Sequence, residues 1–149
     1  MYKLLFLPLL ISLTGCQSST LSAVESESFL SLLSEHNYDE IETKNILWDD
    51  LFDQTSDDYY VYVYSKTCSH CNNIKDTVIE TALNYENFFF VNFNQDIPIL
   101  ESIDTTIGAK EVDDVGILGT PTLLEIYFQT LILNVAGEDQ VVKKLAKLS

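Results

Sequence analysis

Two cysteines that stand two residues apart are the residues in this chain most able to do chemistry. They lie in the run Cys68-Ser69-His70-Cys71, between a strand-like apolar segment and a helical pattern. Unpaired N–H groups and a partial positive charge at a helix N-terminus favour a thiolate over a thiol. We therefore expect Cys68 to be an exposed nucleophile with a lowered pKa, assisted by protonated His70. Cys71 is expected to be less exposed and to resolve the mixed disulfide.

Other uses of this cysteine pair fit the sequence less well. A structural disulfide stabilises most when it closes a long loop, and this pair closes a very short one. Zinc usually takes four ligands, and the chain offers two uncommitted cysteines plus His36 and His70. Covalent haem attachment needs a His directly after the second Cys, where Asn72 stands. We expect no metal and no cofactor.

The apolar pattern around the pair predicts alternating strands and helices. Strands are predicted at 59–64, 88–93, 122–128 and 131–135, helices at 45–52, 69–86 and 138–148, and a short edge strand at 38–42. The residues expected in the core from the first helix are Ile46, Leu47, Leu51 and Phe52. Segment 59–64 is entirely aromatic or β-branched, which is typical of a central strand covered on both faces. A parallel second strand, an irregular crossover at 95–117 and a final hairpin predict one mixed sheet with helices on both faces.

A second motif, Gly119-Thr120-Pro121-Thr122, precedes a predicted strand, and Val135-Ala136-Gly137 precedes the last helix. Together with the cysteine run, these marks resemble the thioredoxin superfamily, from about residue 38 to residue 148. The resemblance implies a thioredoxin-like α/β fold with a cis Pro121 that faces the cysteine pair. It also implies that Thr120 offers its backbone to a substrate strand. His70 within Cys-x-His-Cys is similar to disulfide oxidases and isomerases more than to cytosolic thioredoxin.

The sequence departs from that family at two positions. Many members carry a buried acid six residues before the first Cys, which handles the proton of the second Cys; here Tyr62 stands there. Water or a different carboxylate would then have to receive the proton of Cys71. The Trp often found just before the first Cys is Thr67 here, and Trp48 lies upstream, where a core role is expected.

The N-terminal residues predict export. A ten-residue apolar stretch after Lys3 is too short to span a bilayer as a helix and suits a secretory signal. Leu13-Thr14-Gly15-Cys16 resembles the lipobox of bacterial lipoproteins, in which the Cys becomes lipidated; a plain signal peptide is the alternative. We expect a signal peptide at 1–15, a segment at 16–37 with lipidated Cys16, a tether and a short helix, and the thioredoxin-like domain at 38–149. The protein is then anchored by lipid on the extracytoplasmic face of the cell membrane.

Charge and motif together narrow the function. The chain has 23 acidic and 8 basic residues, a net charge of −15, and nucleic-acid binding depends on cations that neutralise phosphates, so no nucleic-acid partner is expected. The resemblance implies a thiol–disulfide oxidoreductase with exported proteins that carry thiols or disulfides, and a redox partner protein, as partners. The alternative is a lipid-tethered binding or accessory module with a non-catalytic disulfide. The direction of electron flow stays open.

Overall fold

A mixed four-stranded sheet forms the centre of the chain in the computed structural model, which describes residues 36–104 and 106–148. The strands are β1 Asp58–Tyr64, β2 Phe88–Asn92, β3 Thr122–Tyr127 and β4 Thr130–Ala136, in the spatial order β2-β1-β3-β4. Strand β1 pairs parallel with β2 and antiparallel with β3, and β3 and β4 form an antiparallel hairpin. The predicted α/β architecture is confirmed. The predicted signal peptide, Cys16 and the predicted helix near 25–35 lie outside the described residues.

Among the described residues, three α-helices accompany the sheet: α1 Ser69–Asn73, α2 Lys75–Asn84 and α3 Glu138–Leu145. The helix predicted at 69–86 is therefore two helices, separated at Ile74, where φ is −107° and ψ is 5°. Asn72 and Asn73 precede the break, and their side chains donate outside the helix, to Lys66 O and Glu138 Oε2. These bonds tie the residues before the break to the turn after β1 and to the start of α3.

The predicted edge strand at 38–42 was wrong, because a 3-10 helix occupies Tyr38–Lys44. Its first turn is capped from both sides. The Asn37 side chain accepts from the Asp39 N–H, and the Glu40 carboxylate accepts from the Asn37 N–H. This reciprocal capping satisfies N–H groups that a helix start leaves open, and it favours a helical turn over a strand.

The helix predicted at 45–52 was also wrong in extent. Only the short 3-10 helix Trp48–Asp50 forms there, because Asn45 pairs with Phe90 as an isolated bridge and the Ile46 N–H donates to Phe90 O at 2.8 Å. Leu47, which was expected in the core, is 71% exposed. Leu51 and Phe52 are buried as predicted, and Ile46 is half-buried.

The two faces of β1 lie in different surroundings because successive side chains of a strand point to opposite sides. On the first, which we call the helical face, Tyr60, Tyr62 and Tyr64 pack with side chains from α1, α2 and α3. On the second, the loop face, Tyr59, Val61 and Val63 pack against Trp48–Asp50 and the chain between 97 and 117. Helices were predicted on both faces of the sheet. Within the described part of the chain, the α-helices pack on the helical face. The loop face is covered by 3-10 helix and irregular chain, including the short 3-10 helix Val112–Asp114 of the predicted crossover.

Candidate active site

Cys68 is the N-cap residue of α1 and directly follows the turn after β1. Its backbone is extended (φ −80°, ψ 119°), and its sulfur accepts a hydrogen bond from the Cys71 N–H at 3.3 Å. The turn is closed by the Cys68 N–H, which donates to Ser65 O at 3.1 Å. A cap residue normally uses a side-chain oxygen for this contact; here a sulfur takes the place, so that helix N–H groups point at the atom that would carry the charge.

The two cysteines, both free, have pKa values that move in opposite directions. Burial acts to raise the pKa of Cys68, but hydrogen bonds from the Cys71 thiol, the Thr120 side chain and the N–H groups of Cys71 and His70 outweigh it, and the net pKa is lowered. Burial raises the pKa of Cys71 to about 11, and the neighbouring Cys68 adds to the effect. Cys68 is half-buried and Cys71 is fully buried, so Cys68 is the more exposed of the two thiols, as predicted.

The loop before β3 brings a second segment to the cysteines. The Thr120–Pro121 peptide bond is cis, as the resemblance implied. The Cys68 thiol donates to the Thr120 carbonyl oxygen at 3.4 Å, so this loop faces the cysteine pair. An open groove of about 350 Å³ lies beside it and is lined by His70, Thr120, Pro121, Ala136, Gly137, Glu138, Asp139 and Gln140.

The His70 side chain lies on the surface and does not act as simply as the sequence suggested. Its Nδ1 is 3.2 Å from Glu138 Oε2, and the side chain is 69% exposed. Asn73 also donates to that carboxylate. These hydrogen bonds, from Asn73 first and then His70, lower the pKa of Glu138. The part of His70 that acts on Cys68 in this arrangement is its backbone N–H.

Two tyrosines near Cys71 were not predicted as a pair. Tyr38 donates its hydroxyl to the Cys71 carbonyl oxygen at 3.3 Å. Tyr62, on β1, is fully buried and its hydroxyl faces the Cys71 thiol and the Tyr38 hydroxyl. The sequence singled out Tyr62 only as a replacement for an acid. A partner for Cys71 at position 38, thirty-three residues away in the chain, left no local signal.

Two other features, a metal site and a membrane-spanning helix, are absent from the described residues. Within 36–104 and 106–148, no group of three or more His, Cys, Asp or Glu side chains is arranged to hold a metal ion. In the same part of the chain, no helix has the length and apolar character needed to cross a bilayer.

The sheet order, the α-helices on one face, the cysteines at the start of α1 and the cis proline opposite them define a thioredoxin-like α/β fold. No protein-family model matches this sequence, and no curated protein sequence matches it either.

Solved structures that are similar to this chain include three thioredoxins. Mitochondrial thioredoxin 3 from Saccharomyces cerevisiae, in its oxidized form, is 16% identical over 70% of this chain and 93% of its own, with a TM-score of 0.46. Plasmodium falciparum thioredoxin is 14% identical over 71% and 99%, with a TM-score of 0.45. The short form of spinach chloroplast thioredoxin f is 12% identical over 70% and 91%, with a TM-score of 0.47.

Proposed function

We propose that this chain is a thiol–disulfide oxidoreductase that works through Cys68 and Cys71. The observation that carries the proposal is the inequality of two adjacent thiols. Cys68 is accessible, held by helix N–H groups and has a lowered pKa, whereas Cys71 is buried with a pKa of about 11. A nucleophile needs thiolate character and access, and a resolving thiol needs only to reach the first sulfur.

The proposed reaction has two exchanges. The Cys68 thiolate attacks a substrate disulfide, the Cys68–substrate S–S bond forms, and the other substrate sulfur leaves as a thiolate. Cys71 then loses its proton and attacks Cys68 Sγ. The Cys68–Cys71 bond forms and the remaining substrate sulfur leaves as a thiolate, so that the enzyme is oxidised by two electrons and the substrate is reduced. The reverse sequence oxidises a dithiol.

The groove beside the pair is the proposed substrate site. Thr120 and Pro121 line it, and the Thr120 backbone already contacts Cys68 through its carbonyl oxygen. An extended substrate segment that pairs with this backbone would bring its cysteine to Cys68, because strand addition places successive residues at fixed spacing.

We further propose that the substrates are exported proteins and that a second redox protein exchanges electrons with the pair. The support is the N-terminal apolar segment followed by Leu13-Thr14-Gly15-Cys16, which favours lipid attachment at Cys16 on the extracytoplasmic face of a bacterial membrane. Cys16→Ala should release the protein from the membrane fraction or leave it unprocessed. Mature Cys16→Ala protein that still partitions with lipid would contradict the anchor.

The reduction potential of the Cys68–Cys71 pair tests the oxidoreductase proposal. Structural disulfides typically lie below about −300 mV, a thioredoxin-type reductant near about −270 mV and a strong oxidase near about −120 mV. We expect a value between the last two, because a stabilised Cys68 thiolate stabilises the reduced form. Equilibration with glutathione and dithiothreitol buffers measures it, with Cys71→Ser as the control that cannot form the disulfide. A value below about −300 mV would instead support the non-catalytic module.

A further inference from the structure

One buried hydroxyl beside the cysteines has no partner. Among the residues that the structure describes, only Tyr62 Oη and Asn134 Oδ1 are buried side-chain polar atoms without a hydrogen bond. Tyr62 has no exposed surface. Buried polar groups are nearly always paired because an unmade hydrogen bond lowers stability, so an orphan in a native core requires a reason.

The ring that carries this hydroxyl is held in place. It stacks on Tyr64, with ring centroids 6.1 Å apart and planes 6° apart, and meets Phe90 edge-on at 5.8 Å. The adjacent Tyr38 ring also stacks on Tyr64, at 4.2 Å, and its hydroxyl donates to the Cys71 carbonyl. The fixed ring leaves the Tyr62 hydroxyl with two polar neighbours, the Cys71 thiol and the Tyr38 hydroxyl, and it makes a hydrogen bond of normal geometry to neither.

The hydrogen bonds that Cys71 needs change during the proposed reaction. In the dithiol, Cys71 is neutral, and its titratable neighbours are Cys68, Tyr62 and Tyr38, with Thr120 and the Ser65 backbone also in contact. In the mixed disulfide, Cys71 must become an anion in a buried place. A buried anion needs hydrogen bonds. The Ser65 backbone and Thr120 already lower the Cys71 pKa by hydrogen bonding, and the Tyr62 hydroxyl is a further donor beside Cys71 that has no hydrogen bond of its own.

We propose that Tyr62 is a latent hydrogen-bond donor that engages Cys71 when this residue becomes a thiolate, and so speeds the resolving step. The inference rests on the proposed oxidoreductase function. It makes Tyr62 the residue that stabilises the charge on the resolving sulfur, without a carboxylate.

The proton balance excludes Tyr62 as the base. Burial, reinforced by Tyr38 and Cys71, raises the pKa of Tyr62 far above its ordinary value, so the phenol stays protonated and can only donate. The Cys71 proton passes to the substrate thiolate released in the first exchange when that thiolate is basic, and to water and buffer when it is a weakly basic aryl thiolate. In the first case one anion enters the reaction, as Cys68 thiolate, and one leaves, as the second substrate thiolate. In the second case both substrate thiolates leave as anions and one proton enters the buffer.

The two exchanges can be observed separately with a symmetrical aryl disulfide that releases a coloured thiolate. In the full chain with Cys16→Ser, the remaining two of the three cysteines are Cys68 and Cys71. The first coloured thiolate reports attack by Cys68, and the second reports resolution by Cys71. Tyr62→Phe in this background should leave the first phase unchanged. It should slow the second by about tenfold to about a hundredfold, the factor for one hydrogen bond to an anion.

Tyr64→Phe is the matched control. It removes a phenol from the same strand and the same face, but that hydroxyl donates to Asn45 and should leave both phases unchanged. A titration of Cys71 by NMR in Cys68→Ser protein, with and without Tyr62→Phe, gives a second measurement. The Cys71 pKa should rise when the hydroxyl is removed.

The outcomes separate the two proposals. An unchanged second phase in Tyr62→Phe, or an equal slowing in Tyr64→Phe, overturns the role of Tyr62. An unchanged Cys71 pKa does the same, even if the kinetic variant is poorly folded. If the unsubstituted protein never releases the second thiolate from its Cys68 adduct, the resolving role of Cys71 fails, and with it the proposed function.

Discussion

The two faces of β1 share one backbone and differ in almost everything else. On the helical face, three tyrosines pack beside the Cys71 thiol, and two of their hydroxyls bond to Glu125 (2.6 Å) and Asn45 (3.3 Å). On the loop face, Val61 and Val63 pack in an apolar cluster with Trp48, and the Tyr59 hydroxyl donates to Leu51 O at 2.8 Å.

The difference shows how a small sheet can separate chemistry from stability. The helical face holds the Cys71 thiol and the Tyr62 hydroxyl, which has no hydrogen-bond partner. The loop face contributes stability by burying apolar side chains. Its cluster includes neither Cys68 nor Cys71. Substitutions on the two faces should therefore have effects of different kinds.

The largest expected effect is on the loop face. Leu124, on β3, is fully buried there, and Leu124→Ala should lower the free energy of unfolding by about 2–5 kcal/mol because it leaves a cavity. The pH dependence of Cys68 alkylation should not change. Leu123→Ala, its neighbour on the helical face, is the matched variant: similar destabilisation should come with altered alkylation, because Leu123 shares a cluster with Cys71. Equal effects on alkylation would remove the distinction between the faces.

The next effect has opposite signs on the two faces. Tyr59→Phe should destabilise the reduced protein by about 1 kcal/mol, because the buried Leu51 carbonyl loses its donor. Tyr62→Phe should stabilise it by about 1 kcal/mol, because an unpaired hydroxyl leaves the core. Urea unfolding under reducing conditions measures both. Destabilisation by Tyr62→Phe would mean that the hydroxyl has a partner in the reduced state.

A further effect appears as a pH dependence of the reduced protein. The folded-state pKa of Cys71 is raised from its ordinary value of 9.0 to about 11. Between these values the unfolded chain has released the proton and the folded chain still holds it, so stability falls as pH rises through this range. Cys71→Ser should flatten the fall, while the tyrosines of both faces keep contributing at the upper end. Identical unfolding curves from about pH 9 to about pH 11 in both proteins would contradict the raised pKa.

The smallest effect concerns the rim of the groove. Glu138→Gln removes the carboxylate that pairs with His70, and with it a negative charge at the rim of the groove beside Cys68. Alkylation of Cys68 at mildly acidic pH should speed up by less than about fivefold, because exposed ion pairs are weak. Asp139→Asn removes an equal charge one residue further along α3 and is the control. Equal rates in both variants would show that the His70–Glu138 pair has no special effect.

The features that could be predicted from the sequence are those that local residue patterns encode. The aromatic and β-branched run of β1, the cysteine pair at a change of period and the Thr120-Pro121 motif each carry their own signal. The 3-10 helix at Tyr38–Lys44 was missed, although the reciprocal capping by Asn37 and Glu40 was present in the sequence.

Other features could not be predicted from sequence because they depend on residues that meet only in the fold. Glu138 meets His70 from 68 residues away, and Tyr38 reaches the Cys71 carbonyl across the helical face. Whether the Tyr62 hydroxyl is paired or orphaned depends on atomic positions that residue type does not determine.

The central claim is that Cys68 attacks the substrate and Cys71 resolves the mixed disulfide. Trapping of mixed disulfides tests this claim most directly. Cys71→Ser leaves the accessible thiol and removes the resolving one, so covalent adducts between Cys68 and partner proteins should accumulate on a non-reducing gel. Cys68→Ser should give neither adducts nor exchange activity, because Cys71 is buried with a raised pKa. Adducts in Cys68→Ser and not in Cys71→Ser would reverse the roles. If neither variant traps a partner and neither loses exchange activity, the account is contradicted.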